Sequence, residues 1–286
     1  WACPDMFVQI LLLYLFRSFD SVSSLLAGRA HLDMGFACFS IFCACSTFST
    51  LAIQPPRRDE SIVPASGATR PPWAFRCCGR RGVLWVASAL VFGFSLLFTL
   101  GILTPCLGLR INPHQLVEPN GPLPRIALEA IEALDLANRI NTDVTMMQAV
   151  AALWQWLHIG ELTCVLALLM LAGFALLLPV INMFVLLYCA AQVDQVERKG
   201  QDLAHASHCH KMLKVSHILK HCSMLDVAIM GVFVIKFVGS NYREQGIHFQ
   251  LMPGLYILAV ADGLHYAAYE LVKAAVTTHA SDLSDE

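Results

Sequence analysis

Asp226, Lys236, Asp262 and His265 are ionisable side chains set inside otherwise apolar runs. At bilayer depth such a group is costly unless it is paired or hydrated, so each is a candidate for binding or for proton exchange. Lys236 lies ten residues beyond Asp226 in one segment. On a helix that separates them by about 15 Å, too far for direct pairing, so each needs a partner elsewhere. Asp262, His265 and Tyr269 follow one another at intervals of three and four, which places them on one helix face and makes that face a candidate partner. Pro179 and Asn182 fall within LLLPVINMF, where proline removes a backbone hydrogen bond and kinks a helix. Together these residues could line a polar path. A plainer assignment has Asp226 cap its helix, Lys236 snorkel to the far interface and Asp262 pair with His265.

The elements that must position them are apolar runs of spanning length, about 20 residues for a bilayer. The first with clear ends is Gly82 to Leu109, which carries no charge. The next run from about Leu162 to Ala191, Ser223 to Gly239 and Leu251 to Val276, giving four core spans. Upstream, Met34 to Ile53 is another uncharged run, while Met6 to Phe16 is too short to span alone. The expected fold is all-α, a polytopic transmembrane helix bundle of four core spans plus one or two N-terminal helices. Its divisions are an N-terminal membrane segment at 1–53, a polar linker at 54–81, the helical module at 82–276 and an acidic tail at 277–286.

Loop charges agree with this topology, because lysine and arginine concentrate on one side of a membrane. Arg57, Arg58, Arg70, Arg76, Arg80 and Arg81 follow Ile53, and Arg198, Lys199, Lys211, Lys214 and Lys220 follow Ala191. The intervening segment is acidic, and a short turn around Arg243 and Glu244 is nearly neutral. Within the acidic segment, residues 123–140 repeat apolar positions every third residue and read as an amphipathic helix. Residues 144–158 form a second helical stretch, in which Trp154 and Trp156 suit an interfacial anchor.

Composition supports a membrane class: the 286 residues are 57% apolar and 14% charged, against about a quarter charged in soluble domains. A net charge of -2 with cations confined to short loops leaves no basic face for nucleic acid. Eleven cysteines include Cys38, Cys43, Cys106, Cys164 and Cys189 in or beside apolar runs, where cysteine behaves as a small hydrophobe, so no disulfide framework is expected. Cys43, Cys45, Cys77 and Cys78 lack zinc-ribbon spacing. The loop His205 to His221 holds His205, His208, Cys209, His210, His217 and His221. A basic, headgroup-facing stretch explains these residues without a metal. No phosphate-binding loop, hydrolase elbow or H-E-x-x-H sequence occurs, so no enzyme and no cofactor is assigned. The chain begins at Trp1, which reads as processed or partial and makes an organellar inner membrane one expected residence.

Ser223-Met224-Leu225-Asp226-Val227, followed by Gly231-Val232-Phe233-Val234-Ile235-Lys236, resembles the paraquat-inducible protein A (PqiA/LetA) family. A tryptophan often precedes that block in the family; here Cys222 takes its place, and Lys236 keeps the family's lysine. The preceding helix in the family carries Pro and, three residues later, Lys; here Pro179 matches and Asn182 replaces the lysine. Pro105 matches the proline that ends the family's earlier helix. The resemblance runs from about Gly82 to Val276 and amounts to one module, without the family's zinc ribbon.

The resemblance implies an integral, multi-pass membrane component of lipid transport between membranes, working with an MCE-type partner. Bound lipid is then the expected ligand, with Asp226, Lys236, Asp262, His265, Asn182 and Pro179 as the binding or transport candidates. The alternative is a structural or accessory subunit of a larger membrane complex that kept the bundle without transport chemistry.

Overall fold

The computed structural model describes residues 7–11, 13, 38, 41–42, 45, 49, 73–111, 142–160, 163–199, 203–245 and 247–284. The helix expected over 123–140, most of the segment at 1–53 and the linker up to residue 72 lie outside them. Helix α1 spans Trp73–Leu103, strand β1 Pro105–Ile111, strand β2 Thr142–Thr145 and helix α2 Met146–His158. Helix α3, Thr163–Leu168, passes through a π-helical stretch, Leu169–Leu177, into α4, Leu178–Lys199. Helices α5, Leu203–Cys222, and α6, Leu225–Gly239, follow; a 3₁₀ turn at Ser240–Gln245, strand β3 at Ile247–Leu251 and helix α7 at Pro253–Ser284 complete the order.

Helix dominates, as the apolar runs require, and three differences from the expected boundaries have physical causes. The first core span stops at Leu103 rather than Leu109, because Pro105 has no N–H to continue the ladder and instead begins β1. The segment read as the loop His205 to His221 is α5. The turn at Arg243 and Glu244 leads into a strand, and α7 continues through the region read as an acidic tail as far as Ser284. Among the described residues, three helical stretches are long and apolar enough to cross a membrane: Gly82–Leu103, Cys164–Asp194 and Lys211–Gly239. The last joins half of α5 to α6, since the 15 residues of α6 rise only about 22 Å. The fourth expected span, within α7, has the length but not the apolarity, for it carries Asp262, His265, Glu270 and Lys273.

The described helices and strands fall into two compact units. One, the sheet unit, contains Leu97–Ala175 and Met224–Val260. In it β1 is the central strand of an antiparallel sheet ordered β2-β1-β3. Pairing on both edges explains why Cys106, Leu107 and Leu109 are buried. β2 runs directly into α2 through Thr145, whose hydroxyl accepts from Gln148 N at 3.0 Å while Gln148 Oε1 accepts from Thr145 N at 3.1 Å. This capping box satisfies amide groups that the first helical turn leaves open. α2 then buries Met146, Ala149 and Leu153 along one face.

Gly254 opens α7 where space runs out. A Cβ there would stand 2.5 Å from the carbonyl oxygens of both Thr104 and Pro105. The π-helical stretch ends just before Pro179, which cannot donate to the preceding turn, and widening the helix accommodates that loss. Within the sheet unit the carbonyl of Phe174, inside this stretch, accepts from Met224 N at 3.1 Å, where α5 gives way to α6. A kink expected from Pro179 is thus realised as a π-helical segment.

The other unit, the polar unit, contains Leu176–Ser223 and Ala261–Glu286 with α1 as far as Leu96. Its core joins Phe94 of α1, Met183, Leu186 and Cys189 of α4, Leu213 of α5, and Ala268, Val272 and Ala275 of α7.

Candidate functional site

Three helices of the polar unit each contribute a fully buried polar side chain: Asn182 on α4, Ser216 on α5 and His265 on α7, with relative exposures of 0%, 0% and 1%; Asp194, also on α4, is 8% exposed. Each lies on its helix's apolar stripe, so packing that stripe buries the polar group with it. Asn182 shares a stripe with Met183 and Leu186, Ser216 with Leu213, and His265 with Ala261, Ala268 and Val272.

The three side chains meet. Ser216 Oγ donates to Asn182 Oδ1 at 2.7 Å, and Asn182 Nδ2 lies 2.8 Å from His265 Nε2. With its oxygen engaged by Ser216, Asn182 offers only its amide N–H to the imidazole. His265 Nε2 then accepts, and the ring proton of the neutral imidazole resides on Nδ1. Nδ1 is buried and has no hydrogen-bond partner among the described residues. Asp262 Oδ1, one turn earlier on α7, stands 4.0 Å from it, beyond hydrogen-bond reach. The Phe94 ring lies against the imidazole with ring centres 5.9 Å apart.

The same unit holds a second cluster. The ammonium of Lys220 sits 4.2 Å from the ring centre of Tyr266, 4.0 Å from that of Tyr269 and 3.6 Å from Glu270 Oε1. Lys273 Nζ reaches Glu270 Oε2 at 3.8 Å. On α5, His217 and His221 bring their Nε2 atoms to 3.3 Å.

Two of the remaining sequence candidates, Asp226 and Lys236, belong to the sheet unit. Asp226 stands in the first turn of α6, and its Oδ1 accepts from Val227 N at 2.8 Å, where a carboxylate also meets the positive end of the helix dipole. Lys236, near the other end of α6, donates from Nζ to the carbonyl oxygen of Phe249 in β3. Both contacts hold the local backbone, and neither side chain is paired with the other. Pro179 is buried on α4, three residues before Asn182, and sets the helix geometry rather than presenting a polar atom.

Of the six candidates, the structure therefore gathers Asn182, Asp262 and His265. Two groups escaped the sequence reading. Ser216 was hidden because its segment read as a loop; its place three residues after Leu213 and four before Lys220 is the helical signal. Tyr266 and Glu270 flank the recognised face of α7 and meet Lys220 of another helix there.

Cys106, in β1, has its chemistry set by its position: burial pushes its thiol up to about 11, partly opposed by a backbone hydrogen bond with Met146. A protonated, buried thiol is neither a nucleophile nor a ready metal ligand.

Comparison with known families finds that residues 133–261 match the model of the family described as PqiA: Paraquat-inducible protein A. The matched stretch includes Asn182, Ser216, Lys220, Asp226 and Lys236 and ends one residue before Asp262. Searches of curated proteins and of solved structures returned no match.

Proposed function

Because residues 133–261 match the PqiA family model, we propose that the chain is a PqiA-type membrane component of lipid transport between membranes, working with an MCE-type partner. The observation that carries this reading is the buried Ser216–Asn182–His265 network inside helices whose outer surfaces are apolar. Trp85 and Phe92 on α1 are 79% and 72% exposed, and Phe184 on α4 is 63% exposed, a pattern suited to lipid rather than water. Only 22% of the most apolar window of Gly82–Leu103 is buried, so this helix presents most of its apolar surface outward. A protein that hands over lipids needs such a surface together with a few polar groups for a headgroup, and the polar unit supplies both. No step requires catalysis, and neutral network members and the carboxylate of Asp262 meet the need without a cofactor.

The test is purification of the native protein in mild detergent, with mass spectrometry of the proteins and lipids that accompany it. Stoichiometric phospholipid together with an MCE-domain protein is the expected result. Recovery inside a large membrane complex, with no bound lipid and no such partner, would instead establish a structural or accessory subunit.

A further inference from the structure

His217 and His221 stand one turn apart near the end of α5, and both side chains are exposed. Read as a loop, their segment gives no reason for two imidazoles to meet; as a helix, the interval of four sets them on one face. Their Nε2 atoms come within 3.3 Å of each other, with the ring centres 4.4 Å apart and the planes tilted by 55°. That separation exceeds the roughly 2.7–3.2 Å usual for an N–H donor, so the hydrogen bond between the rings is weak. It fits a different contact. Zinc–nitrogen bonds of about 2.0–2.1 Å at a tetrahedral angle put two ligand nitrogens about 3.3–3.4 Å apart. The same helical interval separates the two histidines that bind zinc in an H-E-x-x-H arrangement. Being exposed, the rings can open outward until both lone pairs meet on one ion.

The surroundings leave the pair available. The His217 ring borders Tyr269, with centres 6.3 Å apart, which steadies it on one side. The nearby cations are engaged by anions: Lys220 approaches Glu270 at 3.6 Å and is also faced by Asp262, and Lys273 approaches Glu270 at 3.8 Å. A metal ion beside them therefore does not enter a field of unpaired positive charge. Among the described residues no group of three histidine, cysteine or carboxylate side chains is placed to hold an ion, so the protein supplies two ligands and water completes the set. Ligand type then decides the ion: imidazole suits zinc and its neighbours, whereas magnesium and calcium take oxygen.

We propose that His217 and His221 form a two-histidine chelate for Zn²⁺ that fixes the last turn of α5. Both imidazoles bind as neutral rings through Nε2, and the ring that carries its proton there shifts it to Nδ1. The ion joins residues one turn apart and so stabilises the helix between them. The site uses none of the Ser216–Asn182–His265 network. It does not rest on the lipid-transport reading, and its failure would leave that reading standing.

The experiment is calorimetric titration of the full-length protein, chelator-treated and in detergent, with Zn²⁺ and with Mg²⁺. The wild type binds Zn²⁺, and Mg²⁺ does not displace it. His217→Ala and His221→Ala each weaken Zn²⁺ binding by roughly tenfold or more, at least the cost of losing an outer-shell partner. Replacing His205, His208, Cys209 and His210 together by alanine leaves the affinity in place. Saturating Zn²⁺ raises the thermal unfolding midpoint of the wild type and leaves that of His221→Ala unmoved. The proposal is overturned if the wild type binds no Zn²⁺, if either single variant binds it as the wild type does, or if the fourfold replacement alone abolishes binding. Should the single variants not fold, carbethoxylation of the wild type read by mass spectrometry decides: Zn²⁺ protects His217 and His221, and modification of both at the metal-free rate would overturn the site equally.

Discussion

The two units treat their polar residues in opposite ways. In the sheet unit, Asp226 and Lys236 are turned to main-chain groups, the amide of Val227 and the carbonyl of Phe249. In the polar unit, Ser216, Asn182 and His265 are turned to one another across three helices, and Lys220 to two rings and a carboxylate. A charge that ties down backbone fixes a helix end or a strand edge. A side chain that meets only other side chains can change partner without disturbing the backbone. The contrast supports the proposal that the buried network of the polar unit carries the working chemistry.

The largest expected effect falls on the sheet unit. Gly254→Val forces side-chain atoms against the Thr104 and Pro105 carbonyls, which are backbone and cannot rotate away; the cost is about 3 kcal/mol, and thermal unfolding in detergent should show a strong loss of stability. Asn182→Leu breaks the polar network at its centre, leaving Ser216 and His265 buried without their shared partner. That costs about 2 kcal/mol, and Ser216→Ala added to it should restore part of the loss, a coupling readable by a double-mutant cycle.

Cys106 gives a pH-dependent check on the sheet unit. Its folded-state pKa, raised from 9.0 to about 11, means that the folded protein holds the thiol proton more tightly than the unfolded chain. Its contribution to stability is complete below pH 9 and is lost as pH rises from 9.0 towards 11. A thiolate-directed alkylating reagent at pH 8 should modify Cys106 only after unfolding. The smallest effect belongs to the ion pair of Arg110 and Asp143, 2.9 Å apart but 36% and 40% exposed. Arg110→Gln should cost no more than about 0.5 kcal/mol and should cost nothing measurable in high salt.

How much of this was legible in the residues follows the reach of each signal. Apolar run length set α1, the α3–α4 segment and α6 nearly in place, because spanning a bilayer is a requirement on local composition. The strands were not visible, since Pro105 to Leu109 is apolar and merges with the helix before it; only pairing with two partners distant in sequence makes it β1. α5 was missed because its five charged and histidine side chains from Lys211 to His221 mask a helix that packs through Leu213 and Ser216. The spacing of Asp262 and His265 announced a shared face correctly. What it met there, Asn182 83 residues away, is a matter of tertiary packing that no local spacing encodes.

The most direct test of the central claim measures transfer of a fluorescent phospholipid between donor and acceptor vesicles. The protein is reconstituted with an MCE-type protein, the proposed partner, as wild type, as His265→Leu and as Lys236→Met, each checked for folding. The account predicts that His265→Leu slows transfer by roughly tenfold or more, the scale of one lost buried polar interaction, while Lys236→Met stays within about twofold of wild type. Wild-type transfer by His265→Leu, or a larger loss in Lys236→Met, would contradict it and move the working chemistry to the sheet unit.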